Sequence, residues 1–200
     1  LKCFRIANEN ELKARDNFLK EFCEKRRKRA EYLLSQGEFE KAFDLIFKSI
    51  KLSEGFSNTS LGLQYYSLAV YYFDTKDYEN SIIYYTKANE LFVSENFEYG
   101  EARATNGLGT IAIIQNRINE ANHLLDVSSS IYRKLSHSAG LSRALTDLGN
   151  LEKASKNYFK AVEYLSESII LRREINHVQG LITSLTELGE TYLLLENFEK

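Results

Sequence analysis

Residues 148–168, LGNLEKASKNYFKAVEYLSES, decide the fold. Gly149 is followed twelve positions later by Ala161 and seven further on by Ser168, and a short polar break at Ser155 to Asn157 separates two apolar stretches. The same spacing recurs along the chain. Ala30, Ala69, Gly109, Gly149 and Gly189 lie 39, 40, 40 and 40 positions apart; a second set of small residues is Ala42, Ser81, Ala121 and Ala161, and a third is Ser49, Ala88, Ser128 and Ser168. Self-similarity at a fixed long period means that one supersecondary unit is stacked several times. Such stacks build extended surfaces for holding partners, without necessarily building a catalytic pocket.

The units read as helices. There is no proline, and apolar residues such as Leu124, Leu125, Ile131, Tyr132 and Leu135 follow a period near 3.6, so the fold class is all-α. Each unit breaks at a polar turn, at Gln36–Glu38, Thr75–Asp77, Gln115–Arg117, Ser155–Asn157 and Glu196–Asn197. Turns this short force antiparallel helix pairs. Two helices approach closely only where the crossing side chains are small, which is the physical meaning expected of the recurring Gly, Ala and Ser. Leu108, Leu125, Leu148, Leu165, Tyr78, Tyr158 and Phe198 are expected to fill the seam between them.

Bulk composition narrows the function classes. With 44% hydrophobic and 27% charged residues and a net charge of -2, the chain reads as ordered, soluble and cytoplasmic. No apolar run reaches the roughly 18 residues of a membrane span, so no membrane contact is expected. Cys3 and Cys23 lack the close Cys/His neighbours of a zinc site and read as reduced thiols packed near helices. His137 and His177 are 40 apart, a recurrence the repeat explains without a metal. No nucleophile elbow, P-loop or Gly-rich strand-turn-helix motif is present, so no catalytic residue and no cofactor are assigned. Lys25 to Arg29 are five consecutive basic residues, but on a helix they spread around the axis. Residues 1–30 hold ten Lys/Arg against five Asp/Glu and the remainder sixteen against twenty-three, so nucleic acid is not an expected partner. The chain starts at Leu1, has no methionine, and stops at Lys200 one residue before the next small position, so an internal fragment of a longer repeat protein is expected.

The pattern Leu-Gly, a small residue twelve after the Gly and an apolar residue four further on resembles the tetratricopeptide repeat. It appears as Leu108-Gly109 to Ala121 and Leu125, as Leu148-Gly149 to Ala161 and Leu165, and with Ala for Gly as Leu68-Ala69 to Ser81 and Tyr85. Leu188-Gly189 with Tyr192 starts another copy, and residues 22–54 form a weaker one in which Arg29 replaces the usual Leu. The resemblance implies a right-handed superhelix, an α-solenoid of helix pairs over 22–60, 61–99, 100–139, 140–179 and a truncated 180–200, with 1–21 an extra helix or the end of a preceding repeat. The family's usual repeat is about 34 residues with a proline near its end. A period of 40 without proline is similar to the subgroup in kinesin light chains, spindle-orientation adaptors and bacterial sensory proteins, which reads peptides or partner domains.

The resemblance also implies a site. In that family the first helix of each pair lines the inside of the superhelix, which places Arg103, Asn106, Thr110 and Ile114 on one stripe and Arg143, Thr146, Asn150 and Lys153 or Ala154 on the next. Tyr66 and Phe73 are the apolar counterparts before them, and Glu190 follows. Arg103-Ala104 and Arg143-Ala144-Leu145 before Leu148-Gly149-Asn150 resemble the R-A-L-x-x-L-G-N signature of spindle-orientation adaptors, whose Arg and Asn hold acidic or backbone groups of an extended peptide. The implied function is a non-catalytic scaffold that binds a peptide or partner domain in its groove, as the regulatory part of a larger signalling protein. The alternative is a structural module that dimerises or spaces a neighbouring domain, with self-association through Leu193 to Phe198 at the repeat end and no groove ligand.

Overall fold

Helices of one common length follow from the ruler of small residues. A computed structural model describes residues 2–54 and 57–198, with side chains over 9–54 and 57–196. Its described residues form α1 (Lys2–Ser35), α2 (Phe39–Ser53), α3 (Asn58–Asp74), α4 (Tyr78–Ser94), α5 (Glu98–Ile114), α6 (Ile118–Lys134), α7 (Ser138–Ala154), α8 (Tyr158–Glu174) and α9 (Val178–Phe198), with no strand among them. The helices α3 to α8 are 17 residues each. The chain divides into two compact units, Leu1–Gly100 and Glu101–Lys200. In the first, α1 packs on α2, α2 on α3 and α3 on α4; in the second, α6 packs on α7, α7 on α8 and α8 on α9.

Four of the five expected turns stand where the sequence places them, at 36–38, 75–77, 115–117 and 155–157. The fifth does not form: α9 stays helical through Glu196 and Asn197. A hairpin turn is held closed by the helix that returns from it, and none follows α9 among the described residues. At the other end α1 is one helix from Lys2 to Ser35, running unbroken through residues 21 and 22. The side chains of Cys3, Phe4 and Phe198 lie outside the described residues.

The seam is built as the small residues require. Ala30, Ala42, Ser49, Ala69, Ser81, Ala88, Ala121, Ser128, Ala161 and Ser168 are all fully buried. In the first unit Ser81 Oγ donates to the Ala69 carbonyl at 2.8 Å, so backbones of paired helices touch at the crossing. In the second unit a Cβ added to Gly149 would stand 2.7 Å from Leu165 Cγ, and one added to Gly109 would stand 2.9 Å from Leu125 Cγ. Leu125, Leu148 and Leu165 are buried, while Leu108, Tyr78 and Tyr158 are half-buried. Gly189 differs: it is exposed, and an added Cβ meets no described atom within 4 Å.

One backbone device closes the turns. Lys76, Asn96, Asn116, Ser136, Lys156 and Asn176 all have positive φ, between 52 and 64°, and recur every twenty residues. Each is the left-handed residue of a Schellman motif. After α3, for instance, the Asp77 N–H donates to the Tyr72 carbonyl at 2.8 Å and the Lys76 N–H to the Phe73 carbonyl at 3.0 Å. Gly37 does the same after α1 with φ of 74°. The residue after the left-handed one then caps the next helix in two cases: Asp77 accepts from Asn80 N at 3.1 Å, and His137 Nδ1 accepts from Gly140 N at 3.0 Å. His137 thus serves as the N-cap of α7.

Two outcomes test this architecture. Gly149→Val overpacks the α7–α8 crossing and is expected to cost on the order of 1–3 kcal/mol, lowering the melting temperature by roughly 3 to 10 °C, whereas Gly189→Val leaves it within about 2 °C of the parent. Lys76→Gly and Lys156→Gly relieve left-handed backbone that disfavours a Cβ; each is expected to raise stability by about 0.5–1 kcal/mol in urea unfolding, against no gain for an exposed mid-helix control such as Lys87→Gly.

Candidate functional site

On a helix, positions three, four, seven and eleven apart share a side. Arg143, Asp147, Asn150 and Ala154 accordingly form the open side of α7, away from the seam that Leu145, Leu148 and Gly149 bury. Arg143 at its start is exposed and forms no ion pair within 4 Å among the described residues. Asn150, two turns on, is half-buried, and its Oδ1 is shielded from solvent without a hydrogen-bond partner. This side of α7 therefore carries an uncommitted fork of N–H donors and an uncommitted carbonyl acceptor about 10 Å apart along the axis, at 1.5 Å per residue.

Asp147 lies between them and ties α7 to α5. Its Oδ2 accepts from Asn106 Nδ2 at 3.3 Å and from Thr110 Oγ1 at 3.2 Å. Burial pushes its carboxyl up to about 6, against those two hydrogen bonds and the more distant charges of Arg143 and Arg172, which favour the ionised form. Thr110 Oγ1 also lies 3.0 Å from the Asn106 carbonyl, an intrahelical acceptor that the Thr110 N–H serves, so the hydroxyl hydrogen can turn to an ionised Asp147. A protonated Asp147 can instead donate to Thr110 Oγ1, which then donates to Asn106 O, so both protonation states are hydrogen-bonded.

One repeat later the corresponding acid is Glu187, and its environment differs. Lys153 Nζ donates to Glu187 Oε2 at 2.5 Å and to Glu190 Oε2 at 2.9 Å, tying α7 to α9 by an ion-paired bridge. The residue forty positions before Lys153 is Ile113, so the matching position of α5 offers no cation to Asp147. Toward α8 and α9, Thr146 is buried in a triangle of hydroxyls, 2.9 Å from Ser168 Oγ and 3.1 Å from Ser184 Oγ, with Ser168 donating to the Ser142 carbonyl at 2.8 Å. Below it Arg172 is buried, donates through Nη1 to the Gly180 carbonyl, and keeps an Nε without a partner.

Of the residues singled out from the sequence, the second unit brings Asn106, Thr110 and Arg143 around Asp147, with Asn150 one turn further, and joins Lys153 to Glu190. Thr146 departs from the expected stripe, because its hydroxyl satisfies the buried Ser168 and Ser184. Asn106 is only 5% exposed and acts on Asp147 from within. Arg103 is half-buried and already engaged by neighbouring groups. Tyr66 and Phe73 sit on α3 in the first unit; Tyr66 is buried with its ring 5.4 Å from Tyr85, and Phe73 packs 5.9 Å from Tyr78. The basic run on α1 is largely paired along its own helix, Lys25 with Glu21, Lys28 with Glu24, and Arg27 with Glu24 and Glu31. No cluster of three or more His, Cys, Asp or Glu able to hold a metal occurs among the described residues. No described helix is long and apolar enough to cross a membrane.

Comparisons with known proteins agree with this architecture. Residues 65–92 match the tetratricopeptide repeat family. No curated protein matches the sequence. Among solved structures, BtubC (BKLC) from P. vanneervenii superposes with a TM-score of 0.78 at 17% identity, covering 99% of this chain and 80% of its own. A Podosopora anserina protein with nearly identical TPR-like repeats, named after kinesin light chain, gives 0.69 at 14% identity, covering 89% of each chain. Aspartyl phosphate phosphatase F from Bacillus subtilis gives 0.74 at 15% identity, covering 98% of this chain and 51% of its own. At such identities the likeness is one of fold. The helix pairs closed at small residues, the segment matched over residues 65–92 and the solved structures agree on a tetratricopeptide-like repeat fold.

Proposed function

We propose that the chain is a non-catalytic protein-binding scaffold whose second unit holds an extended acidic segment of a partner along the open side of α5, α7 and α9. Tetratricopeptide repeats generally mediate protein–protein interaction, and the family resemblance supports a regulatory place in a larger signalling protein. The observation that carries the reading is the pair of uncommitted groups on α7. Arg143 presents planar N–H donors that match a carboxylate bidentately. The half-buried Asn150 amide reaches the backbone of an extended chain when its side chain turns outward, and its shielded Oδ1, left without a donor, is a cost that this turn removes. Asn106 and Thr110 contribute by holding Asp147 in place, and Lys153 with Glu190 forms the far rim.

A second reading has its own observation. Val178, Ile182, Leu185 and Leu193 on α9 are between 43 and 66% exposed, an apolar stripe that suits self-association. Light scattering over a dilution series separates the two: a dimer that persists on dilution and protects Arg143 from modification favours the structural module.

The scaffold reading is tested with a short Asp-Gly-Ser repeat peptide as probe. Arg143→Glu is expected to weaken its binding by about ten-fold or more, and Asn150→Leu by several-fold, with helix content unchanged by circular dichroism. Wild-type affinity in a folded Arg143→Glu protein removes α7 from the binding face.

A further inference from the structure

Resting on the reading just given, we propose that Asp147 makes that face proton-linked: ionised, it repels an incoming carboxylate and offsets part of the Arg143 charge, and neutral, it leaves that charge whole for the partner. The placement carries the argument. Asp147 stands one turn from Arg143 on the same side of α7 and one turn from Asn150, so any segment bridging those two passes over it. It is not a spectator carboxylate neutralised by a salt bridge, as Glu187 is by Lys153. The groups facing it are known from each side. From α5 come only the neutral donors Asn106 and Thr110; on α7 the charge is Arg143; from α8 it is Arg172; no group of α6 or α9 contributes among the described residues, the α9 acids Glu187 and Glu190 being tied to Lys153.

The hydrogen-bond inventory gives the device two well-defined states. Ionised Asp147 accepts from Asn106 Nδ2 and from the Thr110 hydroxyl, both neutral, and keeps its full negative charge beside the path of an approaching acid. Protonated Asp147 becomes a donor to Thr110, and the chain Asp147 to Thr110 to Asn106 O is complete without Arg143. Burial sets the crossover at about 6, within the range in which a modest change of acidity alters the population of the two states.

The sign of the linkage follows. A carboxyl raised above its unfolded value stabilises the fold below that unfolded value and loses the contribution as pH rises through the folded value, so the neutral state is the relaxed one and the ionised state is strained. Binding of an acidic segment therefore takes up a proton and tightens as pH falls from about 7.5 to about 5.5, by roughly three- to ten-fold, the effect of removing one nearby like charge at the surface of a protein.

The experiment is calorimetric titration of the whole chain with the Asp-Gly-Ser peptide at both pH values, in buffers of different ionisation enthalpy so that proton uptake is counted directly. The native chain is expected to show the stated gain and an uptake of about half a proton near pH 6. Asp147→Asn, which keeps an acceptor for Asn106 and Thr110, is expected to bind at pH 7.5 about as tightly as the native chain does at pH 5.5, with the gain and the uptake abolished. Binding that does not vary with pH, or a gain that survives in Asp147→Asn, overturns the gate while leaving the binding face intact. No binding at either pH overturns both. A pH-dependent native chain with a flat, tight Asp147→Asn variant and a weak Arg143→Glu variant sustains both.

Discussion

The close crossing of paired helices is the constraint on which the rest depends. Where Leu165 lies over Gly149 and Leu125 over Gly109, a side chain on one helix occupies the volume that a Cβ on the other would need. Gly140 under Tyr132 imposes the same exclusion between α6 and α7. The large apolar residues around these points contribute most of the buried area, but area alone would tolerate many relative placements. The small residues select one, and with it the side of each first helix that is left to solvent. The side of α7 that carries Arg143, Asp147 and Asn150 is in this sense a by-product of the seam: it is the side left over once Leu145, Leu148 and Gly149 are closed in.

Polar groups then differentiate repeats that the seam makes alike. The same register position holds Asp147 in one repeat and Glu187 in the next, and the two are answered by different chemistry: neutral donors for the first, an ammonium for the second. A similar divergence occurs on the second-helix side, where Glu152 takes the slot of Tyr72 and, in place of ring packing, accepts from Asn157 Nδ2 at 2.8 Å and pairs with Lys160. Backbone geometry is repeated while electrostatics are not, which is how an array of near-identical hairpins comes to have one distinctive patch.

Much of this was legible in the sequence, for a physical reason. Gly, Ala and Ser at fixed intervals report on steric exclusion, which acts at the residue itself, so Ala121, Ala161 and Ser168 could be placed in the seam before any coordinate. Four polar turns were legible because a Schellman closure needs a left-handed residue and a change of pattern. The role of Asp147 was not. Its partners Asn106 and Thr110 lie 41 and 37 positions away, and a helical wheel shows only its own side of α7. The available signal was comparative: Ile113 stands where Lys153 stands one repeat later, leaving an acid without its cation. Thr146 was misread because it lies on the boundary of two faces, and only the positions of Ser168 and Ser184 decide which one claims it. Tyr66 likewise looks like an exposed aromatic until Tyr85 is seen against its ring.

The left-handed residues recur every twenty positions from Lys76 to Asn176. That constancy makes the half-repeat an indivisible quantum of chain length. Adding or deleting a single residue within a 17-residue helix would rotate everything beyond it by about 100°, carrying buried leucines to the surface and the caps out of reach of their helices. Gain or loss of a whole hairpin, by contrast, returns every later side chain to its former orientation. Natural relatives of this protein should therefore vary in length by complete hairpins or within the connectors, and hardly ever by one or two residues inside a helix.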